Sequence, residues 1–233
     1  TGDVTIQSGR SLTIKEGVNV IFLANSDDTV GGDQKYDSEL LVEGSISVLG
    51  TAAEPVTFTS SETAPTKGDW GGIKHSQTGV FEYAILEYSG YGLYSNANLT
   101  FKNSKINYSG TYGIRGGFYN AAILIEDSEI KGTQNQAIEF WNGNNSSSFT
   151  MRRNKISSCK NGNVSVRESG ALVFEDNEIS SNESANIQIR DLRADVSIKN
   201  NTFSNNKNGS LSVESAYQEN LSVLVEGNSI SEG

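Results

Sequence analysis

Residues 174–182 read FEDNEISSN. Phe174 and Ile179 are spaced among charged residues as in a strand, but Asn177 interrupts them. Asparagine is a turn former, because its side chain bonds nearby backbone and tolerates unusual dihedral angles. The interruption recurs: FKNSKI begins at 101, IEDSEI at 125, MRRNKI at 151, FEDNEI at 174, IKNNTF at 198 and VEGNSI at 225. Successive copies start 24, 26, 23, 24 and 27 residues apart. A period in that range signals a solenoid whose repeats stack on one another.

A second family of short strands follows at the same period: GGIKH at 71, GLYSN at 92, GIRGG at 113, AIEFW at 137, NVSVR at 163, NIQIR at 186 and SLSVE at 210. Each coil therefore carries at least two strands. Period-two alternation gives each strand an inward and an outward face. In the first family the inward rows are Leu99, Ile123, Phe149, Leu172, Val196, Val223 and Phe101, Ile125, Met151, Phe174, Ile198, Val225. The outward row beside them runs Glu82, Lys102, Glu126, Arg152, Glu175, Lys199, Glu226, alternating in sign throughout, and Lys105, Glu129, Lys155, Glu178 do the same. Parallel strands lie about 4.8 Å apart, and like charges directly opposite would repel. The alternation thus supports the register independently of the apolar rows. Ser104, Ser128, Asn154, Asn177, Asn201 and Asn228 then fall at one corner between two strands. Stacked amides there can bond one another along the axis.

These residues resemble the right-handed parallel β-helix superfamily of pectate lyases and related bacterial secreted or lipid-anchored surface proteins. The opening VTIQSGRSLTIKEGVNVIF, LLVEGSISVLGTAAEPVTFTSS and KGDWGGIKH are similar to the first coils of such proteins. The expected fold is all-β: a single-stranded right-handed parallel β-helix of about eight or nine coils. Residues 1–70 would hold the N-terminal cap and first coils, with an acidic loop at 25–39, and 71–233 the regular coils of one continuous domain. The segment from Val4 to Phe22 is expected to serve at one end. The other end is expected to be capped by further sequence, a partner domain or self-association, since an open coil presents unpaired strand edges.

Composition narrows the function. A net charge of −10 over 233 residues and a pI near 4.6 argue against nucleic acid, whose phosphates the mean field would repel. No apolar run reaches the roughly 18 residues of a membrane-spanning helix. The lone Cys159 allows no internal disulfide. Sequons such as Asn98, Asn163, Asn182 and Asn208 arise readily in a chain this rich in Asn and Ser, so no glycosylation is inferred. The single histidine, His75, falls on the inward face, and a zinc site needs more nitrogen or sulfur ligands than the chain supplies.

The ligand face is sought on the second strand family, where the resemblance places a groove. Its outward rows are Lys74, Tyr94, Arg115, Glu139, Ser165, Gln188, Ser212 and Ser76, Asn96, Gly117, Trp141, Arg167, Arg190, Glu214. Here the charges do not alternate. Trp141 can stack on a sugar ring while Arg167 and Arg190 fork to carboxylate or hydroxyls; Glu168 and Asp191 offer the competing reading, local neutralisation of the arginines. The candidate ligand-binding set is Tyr94, Arg115, Glu139, Trp141, Arg167, Glu168, Arg190 and Asp191. No catalytic residue is assigned. The acidic loop gathers Asp27, Asp28, Asp33, Asp37 and Glu39, oxygen ligands of the kind calcium takes, without EF-hand spacing. The threonine rows of an ice-binding face are missing. The expectation is a secreted or cell-surface, non-catalytic protein that binds polysaccharide. The alternatives are a lyase or glycoside hydrolase acting on an acidic glycan, and a structural stalk or adhesin.

Overall fold

A computed structural model describes residues 2–28, 30–216 and 220–232. Its 27 strands form three all-parallel sheets of nine, each strand pairing with the one three places further along the chain. Sheet A runs from Val4–Ile6 to Gly209–Ala216, sheet B from Ser11–Lys15 to Val223–Glu226, and sheet C from Asn19–Phe22 to Ser229–Glu232. No helix is present among the described residues. The chain is a right-handed β-solenoid. Each rung thus holds three strands. The third escaped the sequence reading because it is short, as in Lys105–Asn107, Lys155–Ser157 and Glu178–Ser180. The regular solenoid, from Gly72 on, makes about seven turns, against the eight or nine coils expected of the whole chain. Two further rungs precede it, separated by longer excursions at residues 23–38 and 61–71. The Val4 to Phe22 segment is the first of these, already in register with its neighbour.

The sheet B to sheet C corner explains the asparagines. It consists of one residue at positive φ followed by the ladder residue. The positive-φ row reads Tyr83, Asn103, Asp127, Arg153, Asp176, Asn200 and Gly227, mostly the residue types that tolerate that region. Next to it, Asn154 N–H donates to Asn177 Oδ1 at 3.0 Å, Asn177 N–H to Asn201 Oδ1 at 2.9 Å, and Asn201 N–H to Asn228 Oδ1 at 2.9 Å. Each amide nitrogen donates in turn to the next amide oxygen, at 2.8–3.0 Å, and to an inward-row carbonyl: Ile125, Met151 and Phe174. At Asn177 and Asn201 every capacity of the buried amide is used, as burial demands.

A second ladder lies five residues on, at the sheet C to sheet A corner. Cys159 N–H donates to Asn182 Oδ1 at 2.9 Å, and Asn182 N–H to Asn206 Oδ1 at 3.0 Å. Cys159 is therefore a buried ladder residue, and the Asn182 sequon is closed to modification by its burial.

Inward rows form one continuous core. Phe81, Phe101, Phe140, Phe149 and Phe174 are fully buried, and Phe22 stacks on Trp70 at 4.1 Å. The GDWGG segment turns the chain into the regular strands. Trp70 is buried, with its indole N–H donating to Glu87 O at 2.8 Å. A Cβ on Gly71 would lie 2.3 Å from Glu39 Cγ, and one on Gly72 would strike Tyr91. Both glycines make room for a buried Glu39–Tyr91 pair that anchors the acidic loop.

Candidate functional site

The outward face of sheet A brings part of the candidate set together. Register places Lys74, Tyr94, Arg115 and Glu139 opposite one another on four successive rungs. Gly117 pairs with Trp141 in the adjacent row; having no side chain, it leaves the indole open space toward Tyr94. The Tyr94 and Trp141 rings meet edge to face at 6.2 Å.

The Arg115 guanidinium lies among three rings, 5.6 Å from Tyr94, 5.0 Å from Trp141 and 4.0 Å from Tyr112. Glu139 stands 3.7 Å from it, within ion-pair range but beyond hydrogen-bond length. Among the described residues the Arg115 guanidinium makes no hydrogen bond, although its Nε is buried. Tyr112 sits in a corner, outside the strand alternation, so the sequence pattern does not mark it. Its only signal is that it precedes Arg115 by three residues in the same rung.

One end of this platform is walled by the acidic loop. Lys74 Nζ lies 5.2 Å from the Tyr94 ring and 2.6 Å from Asp33. A cavity of about 280 Å³ opens there between Asp33, Leu41, Glu43, Lys74 and Ser76. The loop is fixed from beneath by buried Glu39. Its carboxylate accepts the N–H of Asp33 at 2.6 Å, that of Gln34 at 2.9 Å, and the Tyr91 hydroxyl. Burial raises the Glu39 pKa against the lowering pull of these bonds, and burial together with Glu39 raises that of Tyr91. Burial also raises Asp3, which accepts the Glu39 N–H, and Asp37.

The five acidic residues put forward for calcium serve several ends. Asp27 accepts the Gly31 N–H at 2.9 Å, Asp33 pairs with Lys74, and Glu39 turns inward. Among the described residues no group of three or more His, Cys, Asp or Glu is arranged to hold a metal ion.

The far end differs from expectation in its partners. Arg167 is exposed, opposite Arg190 in register. Arg190 pairs with Glu214 at 3.1 Å. Glu168 pairs with Arg193 at 3.5 Å, and among the described residues with neither Arg167 nor Arg190. Asp191, within strand Ala185–Leu192, and Glu168, just after strand Asn161–Arg167, both have positive φ. The guanidinium at Trp141 is that of Arg115, one rung before it, and not that of Arg167, because Gly117 opens that side. His75 lies inward and fully buried beneath this sheet, its Nδ1 2.7 Å from Gln77 O and its pKa lowered to about 4 by burial.

A family model described as "Right handed beta helix region" matches residues 76–233, and one described as "Pectate-lyase like beta helix domain" matches residues 1–76. The chain belongs to the right-handed β-helix family. No curated protein matches it. Among solved structures, the catalytic domain of a GH87 alpha-1,3-glucanase in complex with tetrasaccharides is 11% identical. The match covers 98% of this chain and 69% of that one, with a TM-score of 0.31. So low a score carries no argument about activity.

Proposed function

We propose that this β-helix chain is a secreted or cell-surface protein that binds polysaccharide on the outward face of sheet A without cleaving it. One observation carries the reading. Arg115 is a half-buried guanidinium enclosed by three aromatic rings with no hydrogen bond among the described residues, and buried polar groups are normally bonded. A sugar hydroxyl or carboxylate would satisfy its donors while the rings of Tyr94 and Trp141 cover the apolar face of a pyranose. The cavity beside Lys74 gives the platform a closed end, and Arg190 and Arg167 extend it along the axis.

Binding without chemistry is favoured by how the polar groups are committed. The platform carboxylate, Glu139, is committed to an ion pair with Arg115. The only histidine is buried on the opposite face of the strand and neutral. A glycan array spanning acidic and neutral polysaccharides, followed by product analysis on each hit, tests the reading. Binding lost in Trp141→Ala and Arg115→Ala supports it. Unsaturated or reducing-end products would replace it with a lyase or hydrolase, and silence on every glycan would favour a structural stalk.

A further inference from the structure

We propose a second saccharide site, remote from the sheet A face, at the sheet C to sheet A corner: a pocket that takes a monoanionic sugar unit between Lys67 and Lys160. The site is a cavity of about 330 Å³ formed where the 61–71 excursion meets three successive rungs. The excursion is held there by backbone bonds, with Gly68 N–H and Asp69 N–H both donating to Tyr88 O at 3.0 and 3.1 Å. Lys67 is thereby placed over a row in which Gln134, Lys160 and Glu183 follow one another. Their backbone N–H groups are consumed by the preceding rung, at 3.2, 2.9 and 3.1 Å. A ligand there would meet their side chains and the hydroxyls of Ser158 and Ser181.

The charges here break the rule kept on sheets B and C. Lysines and glutamates facing each other across rungs there form ion pairs, as in Lys102–Glu126 at 2.9 Å and Lys155–Glu178 at 3.4 Å. Lys160 and Glu183 are likewise one rung apart, yet among the described residues neither they nor Lys67 forms an ion pair. Two ammonium groups and one carboxylate leave a surplus of one positive charge, which suits a single negative charge on the ligand. A phosphate dianion would meet Glu183. A sugar instead can give its carboxylate or sulfate ester to the lysines and its hydroxyls to Glu183, Gln134 and the serines. With rungs about 4.8 Å apart, the three-rung cavity runs roughly 10 Å along the axis.

The test uses the full chain carrying Trp141→Ala, so that the sheet A platform is disabled. Titration calorimetry is run with a uronate trisaccharide, a sulfated trisaccharide, a neutral trisaccharide and inorganic phosphate. Binding of either acidic sugar, weakened about tenfold or more by Lys67→Ala with Lys160→Ala at unchanged melting temperature, supports the proposal, and the tighter of the two identifies the anionic group. Acidic sugars that bind equally well without the two lysines overturn it, as does phosphate or the neutral sugar binding as tightly as the acidic ones. Loss of all acidic-sugar binding on Trp141→Ala alone overturns this site while leaving the sheet A reading intact.

Discussion

Asn177 shows how much one side chain can carry in a solenoid. Its amide oxygen accepts from the backbone and amide of Asn154, and its nitrogen donates to Met151 O and Asn201 Oδ1. Asn177→Ala would strand two buried backbone groups of the preceding rung, Asn154 N–H and Met151 O, and take one donor from Asn201 Oδ1, at a cost of about 1–3 kcal/mol, read as a lower urea midpoint. His75 makes a prediction of a different kind. Burial lowers its pKa from 6.5 to about 4, with the bond to Gln77 O opposing the shift. A depressed pKa contributes stability that is complete above the unfolded value and is lost as pH falls toward the folded one. Between pH 6.5 and 5, ahead of most carboxylate titration, stability should fall by about 2 kcal/mol. His75→Leu should flatten that slope in urea titrations. Glu39 acts in the opposite sense. Its raised pKa means that its contribution is present below the ordinary carboxylate value and is lost as pH rises through the folded value.

At the scale of the strand, the alternating charges were legible because a parallel stack places equivalent residues side by side. What the row could not tell is how the charges would pair. Glu126 takes Lys102 on one oxygen and Arg153, from the corner, on the other, so Arg152 turns to Glu175 at 3.2 Å. These partners lower the Glu126 pKa, with the Lys102 bond the largest cause, and Arg153 lowers that of Asp127. Glu126→Lys would set a cation between Lys102 and Arg152 on the adjacent rungs and remove one partner of Arg153. The expected loss is about 1 kcal/mol at low salt, shrinking as ionic strength screens the repulsion; an unchanged loss in high salt would point to packing instead. The same contrast between rows and corners explains the site. Tyr94, Arg115, Glu139 and Trp141 were legible because strand alternation fixes which face they share. Tyr112 and the Lys67 pocket were not, since corners and excursions follow no period. The second ladder was legible in principle: Asn182 and Asn206 stand at a fixed offset from Asn177 and Asn201, but Cys159, Thr133 and Ser109 at the preceding positions hide the row.

For the whole molecule, stacking makes stability a sum of neighbour terms. Every sheet joins a rung only to the ones before and after it, and both corner ladders bond adjacent rungs alone. The inward row is fully covered in the middle rungs, where Phe149, Met151 and Ile156 are buried, but Val225 and Ile230 in the last rung are 51% and 62% exposed. Local opening should therefore be easiest in the last described rung and hardest in the middle. Amide hydrogen exchange on this chain should find the slowest protons between Ile114 and Ile179 and the fastest in Val223–Glu232. Asn177→Ala supplies the sharper test: protection should fall in the rungs bearing Asn154, Asn177 and Asn201 and hold in the rungs of Leu40 and Ile73. A uniform fall along the whole chain would mean that the solenoid opens as one unit and that the ladders do not act rung by rung.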